Sequence, residues 1–233
     1  MEYHVEKLAS PNAVVGEGPV WNPEEKRLYW TDIYGGKLYS YDPVSKTNDL
    51  IHDGINVGGF RFNENGGLLL GSWEGIYLWD LENDYKLLRD GAINDTGINI
   101  RINDATAGPD GGFYCGTDAT NWENDVVFRI NPDKSIDVID DGVKLCNGMG
   151  FSPDESTFYS TDSLRKIIYK WDYNKIKKSV SNKNILVNLD DDSVGIVDGM
   201  TVDSEGFIWS AIWFGSKVMR FDPDGKLERE IHF

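Results

Sequence analysis

Four oxygen-bearing side chains, Glu17, Asn103, Asn147 and Asp198, occupy one equivalent position in successive copies of a repeated sequence pattern, and a further copy has Gly58 there. Two carboxylates beside two neutral amides form a hard, all-oxygen donor set, which suits Ca²⁺, Mg²⁺ or Mn²⁺ and leaves positions open for water or substrate. Asn and Asp before glycine are also ordinary turn formers, and polar side chains cap strand ends. Recurrence at a single register, with a glutamate that does not favour turns among the four, points instead to convergence on one small volume. Arg101 lies two residues before Asn103. In an extended segment their side chains share a face, where the guanidinium could hold a carbonyl, hydroxyl or carboxylate of a ligand, or pair with one of the many acids.

The elements that must position these residues are legible in the same repeat. Glu17-Gly18-Pro19-Val20-Trp21 matches Asn147-Gly148-Met149-Gly150-Phe151 and Asp198-Gly199-Met200-Thr201-Val202. Each runs through a turn into an aromatic strand: Leu28 to Asp32, Phe158 to Asp162 and Phe207 to Ala211. Copies beginning at Gly58 and Asn103 fit the same frame, and the period is roughly 40–50 residues. Alternating segments such as Lys37-Leu38-Tyr39-Ser40-Tyr41 and Lys217-Val218-Met219-Arg220-Phe221 follow, and most copies add an outer strand such as Ser135 to Ile139 or Leu227 to Ile231. Period-two alternation between Gly, Asn, Asp and Pro turns predicts half-buried antiparallel strands. Four strands per copy make one blade, so the expectation is an all-β propeller forming a single domain over residues 1–233. The first strand of each blade then lines a central channel, and the equivalent positions meet at one mouth of it. The lysine- and asparagine-rich stretch from Lys175 to Asn184 reads as an insertion in an outer-strand loop.

Composition excludes several function classes. With 39 acidic and 23 basic residues the net charge is −16, which repels phosphate backbones and anionic lipid surfaces, so neither nucleic acid nor a membrane is an expected partner. The start Met1-Glu2-Tyr3-His4-Val5-Glu6-Lys7 has no apolar run, and cytoplasmic placement is the expectation. Cys115 and Cys146 match no ligand spacing and read as packed, reduced thiols. His4, His52 and His232 fall on terminal or outer segments, leaving no histidine for a Ser-His-Asp mechanism at the channel. Gly58-Gly59 and Gly111-Gly112 precede no helix and are turns rather than phosphate loops. Trp21, Trp30, Trp79, Trp171 and Trp209 read as packing between blades.

The segments Gly16-Glu17-Gly18-Pro19-Val20-Trp21, Arg101-Ile102-Asn103-Asp104, Asn147-Gly148-Met149-Gly150-Phe151-Ser152 with Tyr159-Ser160-Thr161-Asp162-Ser163, and Val197-Asp198-Gly199-Met200 with Asp203-Ser204-Glu205-Gly206 closely resemble the gluconolactonase, regucalcin and senescence-marker-protein family. The resemblance spans nearly the whole chain, with four motifs in the correct order. It implies a six-bladed propeller with one catalytic divalent metal at the channel mouth, Ca²⁺ foremost and Zn²⁺, Mn²⁺ or Mg²⁺ as alternatives. It assigns Glu17, Asn147 and Asp198 as metal ligands and Arg101 and Asn103 as substrate-binding residues. Five blades are written where the family has six, and a strand near Tyr3 to Leu8 is expected to complete the last one.

The activity this implies is opening of a sugar-acid lactone, a small-molecule substrate, to the free aldonic acid. Asp198 is the candidate general base, since a carboxylate beside a cation can take a proton from a water the cation has acidified. Two rivals stand beside it: hydrolysis of another ester or an organophosphate by the same kind of centre, and a non-catalytic calcium-responsive or scaffold propeller. The oligomeric state is left open.

Overall fold

Short strands closed by side-chain-stabilised turns account for nearly all regular structure in the computed structural model, which describes residues 3–82, 85–90, 101–119, 124–190 and 194–233. The chain divides into two compact units, Met1–Asn103 and Asp104–Phe233.

The first unit holds two four-stranded antiparallel sheets, each with strands in chain order. One comprises β1 (Gly16–Asn22), β2 (Arg27–Asp32), β3 (Lys37–Asp42) and β4 (Thr47–Asp53). The other comprises β5 (Val57–Phe62), β6 (Leu68–Ser72), β7 (Gly75–Trp79) and β8 (Tyr85–Asp90). Between them Tyr29 and Leu38 pack with Val57, Phe60, Leu68, Leu70 and Trp79. Each such large apolar side chain contributes about 1.5–3 kcal/mol when fully buried.

In the second unit, β10 (Phe113–Thr117), β11 (Asp125–Ile130) and β12 (Ile136–Val143) follow β9 (Ile102–Ala107), a strand within which the sequence boundary between the units falls. Two further sheets are β13 (Cys146–Phe151), β14 (Thr157–Asp162), β15 (Ile167–Asn174) and β16 (Ser179–Asn188), then β17 (Ile196–Val202), β18 (Ile208–Trp213), β19 (Lys217–Phe221) and β20 (Leu227–His232). Tyr114, Val127 and Cys146 with Phe158 and Trp171 form one core, and Tyr159, Ile168 and Val187 with Val197, Ile208 and Phe221 another. Both lie between successive sheets, as blade packing requires.

The turns are built as their residues dictate. Asn22 Oδ1 accepts the N–H groups of Glu24 and Glu25 at 3.0 and 3.1 Å, and Asp203 Oδ1 accepts those of Glu205 and Phe207, both at 3.0 Å.

Three expectations are revised. The Lys175 to Asn184 stretch is a long hairpin rather than a loop, because β15 and β16 continue their pairing out to Asn174 and Ser179. Residues 3–13 form no strand and pair with no sheet; an extended segment holds as a strand only where a sheet edge accepts its backbone groups. Of the tryptophans, Trp79 and Trp171 lie in the inter-sheet cores. Trp21 is 49% exposed beside the turn that ends β1. Trp30 and Trp209 are held on their own sheets by indole N–H bonds of 2.9 Å to Asn48 and Asp203. Cys115 and Cys146 are buried thiols, and burial, then the charge of Asp125, pushes Cys146 well above the usual thiol range. Among the described residues no helix is long and apolar enough to cross a membrane.

Candidate active site

The repeat register that groups the candidate residues coincides with a bulge in the backbone. Between Glu17 and Val20, Val57 and Gly59, Asn147 and Met149, and Val197 and Met200, the innermost strand carries one residue more than its partner. A bulge bends the strand and re-aims the side chain beside it. The X-Gly dipeptide, Glu17-Gly18, Asn147-Gly148 or Asp198-Gly199, is its sequence signal.

In the second unit the bulges bring two candidates together. β13 and β17 pack side by side, and a Cβ on Gly148 would stand 2.3 Å from Met200 N and 2.8 Å from the Asp198 carbonyl oxygen. Gly148 thus lets the backbones touch beside Asn147 and Asp198. Asn147 is buried and its Nδ2 donates to Ser163 Oγ at 2.9 Å, which turns the amide oxygen to the opposite side. The segment ahead of it is tied down by carboxylates: Asp162 Oδ1 accepts the Lys144 N–H at 3.2 Å and Asp125 Oδ2 the Leu145 N–H at 3.0 Å. Ser163 N–H donates to the Leu145 carbonyl at 3.1 Å.

Asp198 is half-buried. Desolvation, then repulsion from Asp104, pushes its carboxyl up to about 6 against a bond from the Gly199 N–H. Asp104, which stands where the other motifs have glycine, is a site residue the motif reading left without a role. One of its oxygens accepts the Ala105 N–H at 2.6 Å, and the other lies 4.0 Å from where a Gly199 Cβ would be. At the same end of this sheet, Trp213 and Phe214 stack with centroids 4.4 Å apart, 43% and 78% exposed.

In the first unit, Glu17 is the second residue of β1 and half-buried, and its lead-in is held as that of Asn147 is. Asp32 accepts the N–H groups of Val14 and Val15 at 3.0 and 2.9 Å and that of Gly35 at 3.1 Å. Burial pushes the Asp32 carboxyl up, and the three backbone donors outweigh it, so its pKa is lowered overall. Arg101 and Asn103 are half-buried while Ile102 between them is fully buried, which is the shared face expected for the pair. Gly58 explains its own place in the register. A Cβ there would stand 2.1 Å from the Ile102 carbonyl oxygen, so this blade cannot carry a ligand at that position.

No group of three His, Cys, Asp or Glu side chains among the described residues could hold a metal. The candidate donors of the second unit are of another kind, an Asn147 amide and an Asp198 carboxylate on adjacent strands. Asp104 and Asp198 repel each other in a partly desolvated setting, an excess of negative charge that a divalent cation relieves, and the residues therefore fit one. A separate cavity of about 310 Å³, bounded by Tyr114, Arg129, Asp137 and Lys178, includes none of the candidate residues.

Sheets of four antiparallel strands in up-and-down order, stacked through apolar faces, with polar side chains at bulges on the innermost strands, define a β-propeller protein. The chain belongs to the SMP-30/gluconolactonase/LRE-like family, whose model matches residues 15–233. It is 35% identical over 221 residues to pentonolactonase XacC of Haloferax volcanii, covering 95% of this chain and 74% of that protein. It is 32% identical to 6-deoxy-6-sulfogluconolactonase of Pseudomonas putida, covering 94% of this chain and 75% of the relative. Among solved structures, a calcium-binding protein, regucalcin, from Agrobacterium tumefaciens superposes with a TM-score of 0.87 at 21% identity, over 97% of this chain and 76% of the other. That likeness establishes the fold.

Proposed function

We propose that this protein hydrolyses a sugar-acid lactone to the free aldonic acid. The observation that carries the reading is the placement of Asp198, on a strand that Gly148 lets pack backbone to backbone against the strand bearing the clamped Asn147, with burial and Asp104 raising its carboxyl. Relatives named as lactonases over most of this chain support it.

By the repeat register, Glu17, Asn147 and Asp198 would hold one divalent cation, Ca²⁺ foremost, as a solved neighbour is described as calcium-binding. When bound, the cation supplies Lewis acidity to the lactone carbonyl and to water. Asp198 takes the proton of the attacking water as the water oxygen bonds to the carbonyl carbon. A carboxylate beside the cation can take a proton from a water that the cation has acidified, so the base need not be strong by itself. The ring C–O bond then breaks, and the proton held by Asp198 passes to the departing ring oxygen, leaving a hydroxyl and the acid. Arg101 and Asn103 orient the carbonyl or the ring hydroxyls through charge-assisted and neutral hydrogen bonds.

A substrate panel tests this. Acid release from gluconolactone, a pentonolactone, a simple aryl ester and an aryl phosphotriester is compared for the wild type and Asp198→Asn. The expected result is turnover confined to the lactones and lost in the variant. Turnover of the ester or phosphotriester alone would shift the assignment to another hydrolase, and turnover of none would refute it.

A further inference from the structure

The blade whose register position is Gly58 contributes something other than an oxygen. Trp73 stands in the turn between β6 and β7, and the Arg101 guanidinium lies over its ring with Cζ 3.6 Å from the centroid. Tyr34, from the turn between β2 and β3, meets the same indole edge-on, with centroids 5.0 Å apart at 84°.

Both turns are tied to one residue. Asn56 Nδ2 donates to the Ile33 carbonyl at 2.7 Å, and the Asn56 carbonyl accepts the Trp73 N–H at 3.1 Å. On the other side of Trp73, buried Ser72 accepts the Glu74 N–H at 3.1 Å and donates to the Gly75 carbonyl at 2.9 Å. Gly58, two residues after Asn56, admits the backbone of Ile102 and Asn103. One short segment, Asn56 to Gly58, therefore locates Tyr34, Trp73 and the strand that carries Arg101.

We propose that Trp73, backed by Tyr34, is a positioning residue that fixes the Arg101 guanidinium for ligand binding. A free arginine side chain is long and loses much rotamer freedom when it binds. Cation–π attraction to the indole removes part of that cost beforehand. Stacking holds the guanidinium by its face and so fixes the plane in which its N–H groups point, the plane a lactone carbonyl or an aldonate carboxylate would have to meet. The role of Arg101 towards substrate rests on the function proposed above; its restraint by Trp73 does not.

The experiment therefore has one arm without substrate. Modification of Arg101 by phenylglyoxal is followed by mass spectrometry of its peptide in wild type, Trp73→Ala and Trp73→Phe, with thermal unfolding as the fold control. Trp73→Ala should raise the modification rate about tenfold and Trp73→Phe should stay near wild type. The second arm measures gluconolactone kinetics. Trp73→Ala should raise KM about tenfold with kcat little changed, Trp73→Phe should restore most of the loss, and in an Arg101→Ala background Trp73→Ala should add nothing. An unchanged modification rate in folded Trp73→Ala, or an undiminished further loss in the Arg101→Ala background, overturns the proposal. Faster modification in Trp73→Ala from a protein whose wild type hydrolyses no lactone supports the restraint of Arg101 and refutes the lactonase reading. Should Trp73→Ala fail to fold, Trp73→Leu takes its place in both arms with the same expectations.

Discussion

Asn147 and Asp198 lie near the starts of adjacent inner strands of one unit, and the protein holds them by different means. The lead-in to Asn147 is clamped by polar groups, with Asp162 and Asp125 accepting the N–H groups of Lys144 and Leu145. The lead-in to Asp198 is packed backbone against backbone. A Cβ on Gly195 would stand 2.7 Å from the Trp213 carbonyl oxygen, and one on Gly215 2.7 Å from that of Val194. The neutral amide is thus buried with its Nδ2 bonded to Ser163, while the carboxylate is left half-buried beside a second acid. On the function proposed above, the clamp would orient Asn147, and Asp198 would keep a charge for a proton or cation to relieve.

The largest effect expected from breaking this pair is at Asp198. Asp198→Ala should lower kcat/KM for a lactone by about 10²–10⁴-fold with unfolding little changed; a variant within a few-fold of wild type would remove Asp198 from the chemistry. Next is Gly148→Ala, whose Cβ meets backbone that cannot swing aside. It should destabilise the fold by about 1–3 kcal/mol in urea unfolding and weaken metal binding measured by calorimetry. Asp162→Ala removes the clamp on Asn147 while leaving Asp198 untouched. A loss of about 1–3 kcal/mol is expected, with the drop in activity smaller than for Asp198→Ala.

The smallest effect concerns pH, and it sharpens the contrast between the two kinds of aspartate. Asp198 has a folded pKa of about 6, above its unfolded value. The metal-free folded state then binds more protons, and stability falls as pH rises from the ordinary carboxylate range through about 6. Asp32 has a lowered pKa, so its contribution is present above the unfolded value and is lost as pH falls through the folded one. Metal-free Asp198→Asn should therefore unfold at a higher temperature than wild type at neutral pH, with the gap closing towards pH 4. Asp32→Asn should be less stable at neutral pH, with its gap closing only in stronger acid. Parallel melting curves for wild type and Asp198→Asn across that range would contradict the burial of a charged Asp198.

Much of this was legible in the sequence because strands, turns and the X-Gly register are local signals. Alternation marks the strands, Asn22 and Asp203 mark turns, and Glu17, Asn147 and Asp198 share one register. What escaped depends on contacts distant in the chain. Asp162 reads as the end of a strand, and only the fold shows that its carboxylate holds Lys144, eighteen residues earlier. Gly148 reads as a turn glycine, whereas its work is to admit the backbone of β17. Asp104 was visible as a departure from glycine in the motif, but its closeness to Asp198 comes from packing. Trp73 lies outside the register altogether, and nothing local tells that Arg101 will rest on it.

The most direct test of the central claim is acid release from gluconolactone by metal-stripped protein, before and after adding Ca²⁺, Mg²⁺, Mn²⁺ or Zn²⁺ singly, with Asp198→Ala alongside. Activity should return with at least one cation in the wild type and with none in the variant. Folded wild-type protein that stays at the spontaneous rate with every cation, or a variant that recovers equally, would contradict that claim.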